Sequence, residues 1–136
     1  MKIILSLLLI TSSFAGIAQI NTVSKEKPKE EVYAVVEEVA TYPGGPTEFN
    51  KFIQSNLKYP EKAIRDSIEG KCFLKFVITS EGNIRDIKIL KGVTGCKECD
   101  QESVRVIKAM PKWIPAKING KPVSSFYKVP IKFVMN

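Results

Sequence analysis

Cys96-Lys97-Glu98-Cys99 is the segment of this 136-residue chain whose residue types and spacing could carry redox chemistry. Two cysteines at the start of a helix can work as a thiolate–disulfide pair, because the helix dipole stabilises a thiolate and lowers its pKa. Redox enzymes of the thioredoxin kind place such a pair after a parallel strand of a βαβ unit, whereas the residues before Cys96 read as a tight antiparallel hairpin. The readings therefore rank as a local disulfide, then free thiols, then a thiol–disulfide enzyme using Cys96 and Cys99. Zinc ranks lower still, since Cys72, Cys96 and Cys99 are three soft ligands in a chain without histidine. Cys72 shares a strand face with Leu74 and Phe76, which makes it a small buried core residue.

Other catalysis has little to stand on. The absence of histidine removes the commonest general base and every nucleophile arrangement that depends on it. There is no glycine-rich phosphate loop, and Glu37, Glu38, Glu81 and Asp86 lie in charged or hairpin positions where raised pKa values have no physical cause. The expectation is a protein that is not an enzyme and uses no cofactor and no metal.

The N-terminus sets the compartment. Lys2, the apolar run Ile3–Ile10, the stretch Thr11-Ser12-Ser13-Phe14 and the small residues Ala15 to Ala18 follow the order of a secretory signal peptide. That run is shorter than the roughly 20 residues that cross a bilayer. The reading is cleavage after Ala18 and export to the periplasm, with an uncleaved inner-membrane anchor as the alternative. The formal net charge of +7 then points away from nucleic acid and towards anionic headgroups, cell-wall polymers or acidic proteins. Most lysines are scattered along the chain and read as a solubilising surface.

The remaining chain divides into a leader, residues 19–41, and a folded unit, residues 42–136. Lys25-Glu26-Lys27-Pro28-Lys29-Glu30-Glu31 has almost nothing to bury, and Val32–Val39 suits a short strand or extended arm. Tyr42-Pro43-Gly44-Gly45 is a turn. Thr47 is placed to cap a helix with Phe49, Phe52, Ile53 and Leu57 on one face. Pro60 opens a second helix, with Ala63, Ile64 and Ile68 inward and Gly70 as its left-handed cap. Residues 71–79 alternate, Ser80-Glu81-Gly82-Asn83 turns with positive φ at Gly82 and Asn83, and Ile84–Leu90 returns. Asp100 caps a third helix with Val104, Ile107 and Met110 inward, which Pro111 ends. In the last strand Val123, Ser125, Tyr127, Val129, Ile131, Phe133 and Met135 share one face. Pro130 cannot donate to a sheet ladder, so this strand belongs at an edge or holds a bulge. The pattern is α+β: a small antiparallel sheet, made of a hairpin and a C-terminal edge strand, packed on two to three helices.

Met110-Pro111-Lys112-Trp113, Gly120-Lys121-Pro122-Val123 and Pro130-Ile131-Lys132-Phe133, behind Tyr42-Pro43-Gly44-Gly45 and Tyr59-Pro60, resemble the C-terminal domain of TonB-family energy transducers in their Bacteroidetes form. The resemblance runs from about Val32 to Asn136. It implies a periplasmic interaction module that adds the box peptide of a TonB-dependent outer-membrane receptor as a further strand, in support of energy-coupled transport. The implied receptor-facing residues are Ser124, Ser125, Phe126, Tyr127, Lys128, Val129, Ile131 and Phe133. Trp113 reads as a core anchor, and Gly120 as the turn glycine before the last strand, with Lys121-Pro122 completing the turn. Inner-membrane motor proteins join the expected partners if the N-terminus stays uncleaved, and a homodimer is a further one. The long Pro- and Lys-rich rod of full transducers is missing: residues 19–41 reach at most about 80 Å, which favours a soluble adaptor.

Overall fold

The computed structural model describes Gly16 and residues 30–136; the rest of the expected signal segment and residues 19–29 of the leader lie outside these. The elements, in chain order, are β1 (Val32–Tyr33), α1 (Pro46–Asn56), α2 (Glu61–Arg65), β2 (Gly70–Ile78), β3 (Ile84–Lys91), α3 (Lys97–Lys108), β4 (Ala116–Ile118) and β5 (Lys121–Phe133). The sheet order is β1-β5-β2-β3, with β4 paired to the start of β5. β2 pairs antiparallel with β5 along its whole length, from Gly70 opposite Phe133 to Ile78 opposite Ser125. β1 pairs parallel with β5, so the sheet is mixed at that one corner.

The alternation in the sequence becomes the two faces of the sheet. Cys72, Leu74, Phe76 and Ile78 from β2, with Val129, Ile131 and Phe133 from β5, are buried against the helices. At the centre of the core lies Trp113, only 3% exposed. Its ring centroid is 5.6 Å from Tyr42, 5.9 Å from Phe49 and from Phe76, and 4.8 Å from Tyr127. One indole thus joins α1, β2, β5 and the segment before α1, with edge-on contacts of the favoured kind.

Several local expectations are corrected. α1 begins at Pro46, whose fixed φ suits a first helical residue; its N-cap is Gly45, and Thr47 lies inside the helix without a capping bond. α2 stops at Arg65, with Ser67 taking the left-handed conformation (φ 51°) expected of Gly70. Gly70 instead opens β2, where a Cβ would come 3.1 Å from Val93 Cγ1. Ile64 is half exposed and does not join the core. In the turn of the hairpin, residues 80–83, Gly82 alone is left-handed, and Asn83 is not. The turn before β5 is Asn119-Gly120, with φ of 52° and 73°, so Lys121 and Pro122 already belong to the strand. Such paired positive values match the right-handed twist of the strands they join.

α3 starts four residues earlier than the Asp100 cap implied. Cys96 is its N-cap, its Sγ accepting from Cys99 N at 3.0 Å. Asp100, now within the helix, accepts from Val93 N at 2.8 Å and ties the helix to the loop before it.

Candidate functional site, the free edge of the last strand

β5 has a partner on both sides only at its start. Val32 pairs with Ser124 and Tyr33 with Ser125, while β4 pairs Ala116 to Ile118 with Val123 to Lys121. From Phe126 to Phe133 the side of β5 away from β2 carries no strand among the described residues. The expected edge is therefore present, and it is shorter by two residues than the sequence suggested. Ser124 and Ser125 are buried, with the Ser124 hydroxyl accepting from Ser80 N at 3.0 Å and donating to Glu30. That bond from Ser124 is the largest cause holding the Glu30 carboxyl below its ordinary range.

The remaining expected residues split between two faces. Tyr127, Val129, Ile131 and Phe133 point into the core, and Phe126 and Lys128 point outwards. A strand laid along this edge would reach their backbone groups; the core-facing side chains serve as anchors. Pro130, opposite Phe73, lies inside the free stretch.

An open groove of about 1070 Å³ flanks the same edge. Its walls are Ile53 of α1, Leu57 and Tyr59 beyond the helix, and β5 from Tyr127 to Lys132. α1 explains the groove: none of its residues is fully buried, so the stripe of Phe49, Phe52, Ile53 and Leu57 covers the core and still offers apolar surface. The stripe was legible in the sequence; its incomplete burial depends on the standoff between α1 and β5.

The sheet has a second edge, β3, and it is built differently. Its register with β2 shifts twice, between Phe73 and Leu74 and between Lys75 and Val77, and Asp86 takes a φ of 54°. Bulges and charges of this kind blunt an edge against further pairing. β5 keeps an unshifted ladder to β2 over nine residues.

None of the three cysteines lines the groove beside this edge. Cys96 and Cys99 are bonded to each other, with Cα atoms 5.2 Å apart, and both are buried. Thiol–disulfide exchange needs an attacking thiolate to reach a sulfur, and this burial denies it a path. Cys72 is a free buried thiol, and burial pushes its pKa up to about 11.

Among the described residues there is no group of three or more His, Cys, Asp or Glu side chains arranged to hold a metal ion. Nor is any described helix long and apolar enough to cross a membrane.

Known structures similar to this chain include two solution structures of the Helicobacter pylori TonB C-terminal domain. One is 26% identical, covering 65% of this chain and 90% of that one at a TM-score of 0.48. The other is 25% identical, covering 69% and 87% at a TM-score of 0.49. The Pseudomonas aeruginosa TonB C-terminal domain is 28% identical, with 58% and 80% covered and a TM-score of 0.43. No protein of curated function matches the chain. The family model described as the Gram-negative bacterial TonB protein C-terminal matches residues 55–135, from the end of α1 through β5. With more than half of its length inside that match, this chain belongs to the TonB C-terminal domain family.

Proposed function

We propose that this protein is a periplasmic interaction module whose β5 edge, Phe126 to Phe133, captures an extended segment of a TonB-dependent outer-membrane receptor by strand addition. Domains of its family take part in energy-coupled transport and interact with outer-membrane receptors. The single observation that carries the reading is a stretch of β5 in continuous register with β2 and without a second strand on its other side, lying beside an open groove of mixed polar and apolar lining. Main-chain hydrogen bonds supply affinity in this mode, and alternate side chains supply specificity. Along this edge, inward residues of the guest would meet Ile53 and Leu57, and outward residues would meet Lys128 and Lys132.

The test compares Lys128→Ala with Lys128→Pro by calorimetry against a receptor N-terminal peptide, with circular dichroism to establish folding. Proline removes an N–H and bends the strand, so it should cost far more affinity than alanine. A folded Lys128→Pro variant that binds like the parent excludes strand addition here, and equal losses in both variants indicate a charge contact.

A further inference from the structure

The lysines that look scattered along the chain are gathered by the strand register. On the sheet face turned away from the helices, Lys71 lies opposite Lys132, and Lys75 lies between Lys128 on β5 and Lys88 on β3. Lys91 stands opposite Phe73 on the same face. Like charges directly opposite one another are unfavourable in a sheet, yet none of these six lysines has a salt-bridge partner among the described residues. Of the acids nearby, Glu30 and Asp86 are both engaged by Arg85, and Asp86 lines one cavity with Lys75, Lys88 and Phe126. Phe73 and Phe126 lie among the lysines, 40% and 39% exposed, with Lys75 Nζ 4.1 Å from the Phe126 ring.

We infer that this face, which shares Lys128 and Lys132 with the β5 edge, is a second interaction surface and that it docks on an anionic phospholipid surface. Charge complementarity identifies the partner. Lysine ammonium groups are point charges on flexible stems, without the planar fork that reads a single carboxylate or phosphate in fixed geometry. An array of them, open to solvent and interrupted by two half-exposed aromatic rings, suits a surface of many headgroups into which rings can settle. An extended acidic peptide would use the strand edge, and this face offers it no free backbone groups.

The experiment is flotation of the full chain with vesicles of mixed phosphatidylglycerol and phosphatidylcholine, and with phosphatidylcholine alone. The readout is the ratio of the two affinities, which cancels any contribution of the apolar N-terminus. The parent should favour the anionic vesicles by at least about a hundredfold at low salt, and the preference should shrink as salt is raised. Lys71→Gln, Lys75→Gln and Lys88→Gln together should reduce anionic binding about a hundredfold, at roughly fivefold per lysine. The same charge change made on the helical side, Lys62→Gln with Lys108→Gln and Lys112→Gln, should leave it within about twofold. Circular dichroism checks each variant, and Lys88→Glu on the exposed β3 edge substitutes if the face triple does not fold. A parent ratio near one overturns the inference, as do equal losses in the two triples. Binding to soluble polyglutamate or duplex DNA without binding to anionic vesicles also overturns it. The face triple leaves the β5 edge intact, so failure here is separable from failure of receptor capture.

Discussion

Trp113 and Gly82 are in backbone contact across the core boundary: the Trp113 N–H donates to the Gly82 carbonyl at 2.9 Å, and a Cβ on Gly82 would come 2.1 Å from the Trp113 carbonyl oxygen. The hairpin turn and the residue that centres the aromatic cluster are therefore fixed to each other. Gly82 also has a φ of 84°, which L side chains rarely adopt.

Gly82→Ala should accordingly cost about 3 kcal/mol of stability, through backbone collision as well as strain. Gly120, with a φ of 73° but open space where its Cβ would be, is the matched comparison. Gly120→Ala should cost only about 1 kcal/mol, the left-handed penalty alone. Urea unfolding of the two variants measures the difference, and equal costs would mean that the Trp113 contact is not rigid.

Glu102 accepts from Arg105 Nε at 2.8 Å and from Lys58 N at 2.9 Å, linking α3 to the end of α1. The bond from Arg105, followed by that from Lys58, holds the Glu102 carboxyl below its ordinary range. A lowered folded-state pKa stabilises the protein above the unfolded carboxylate value, and the contribution is lost as pH falls through the folded value. Glu102→Gln should therefore cost about 1 kcal/mol near neutrality, discounted for the half-exposed Arg105. The gap between parent and variant should close below about pH 4.3. Denaturant curves across that range check it.

The Cys96–Cys99 pair should be structural. Closing so short a ring stabilises by about 2 kcal/mol in the chain-entropy account, so Cys96→Ala with Cys99→Ala should lower stability by that order while receptor-peptide binding is retained. The parent should show no turnover in an insulin-reduction assay; turnover that the double variant loses would restore the enzyme alternative.

Cys72 should be silent in the native protein. Its thiol is buried with its pKa raised to about 11, so a thiol reagent at pH 8 should not label it until denaturant is added. Labelling in the folded state would mean that the β2–β5 core opens readily.

What the sequence revealed of this fold is what local pattern controls. The face assignments of β2 and β5 follow from strict alternation, and Trp113 belongs to the core because a large indole between Met110 and Ile114 has much area to bury. The Asp100 cap was misread because a disulfide-bonded Cys96 can supply the capping acceptor, a role that a CxxC spacing does not announce. The extent of the free edge was out of reach for another reason. Ser124 and Ser125 are covered by Val32 and Tyr33, and only long-range pairing decides that. The lysine face had the same origin: Lys75, Lys88 and Lys128 are separated in sequence and become neighbours through register. Helix start signals and strand faces are local properties, whereas a site made of one strand's unused side is defined by what the rest of the chain leaves uncovered.

The most direct test of the central claim is amide hydrogen exchange of the protein with and without a receptor N-terminal peptide. Capture by strand addition predicts new protection confined to non-proline residues of Phe126–Phe133 whose N–H groups face away from β2, with no gain along Ile84–Lys91 at the bulged β3 edge. New protection along β3, or tight peptide binding that leaves Phe126–Phe133 unchanged, would contradict it.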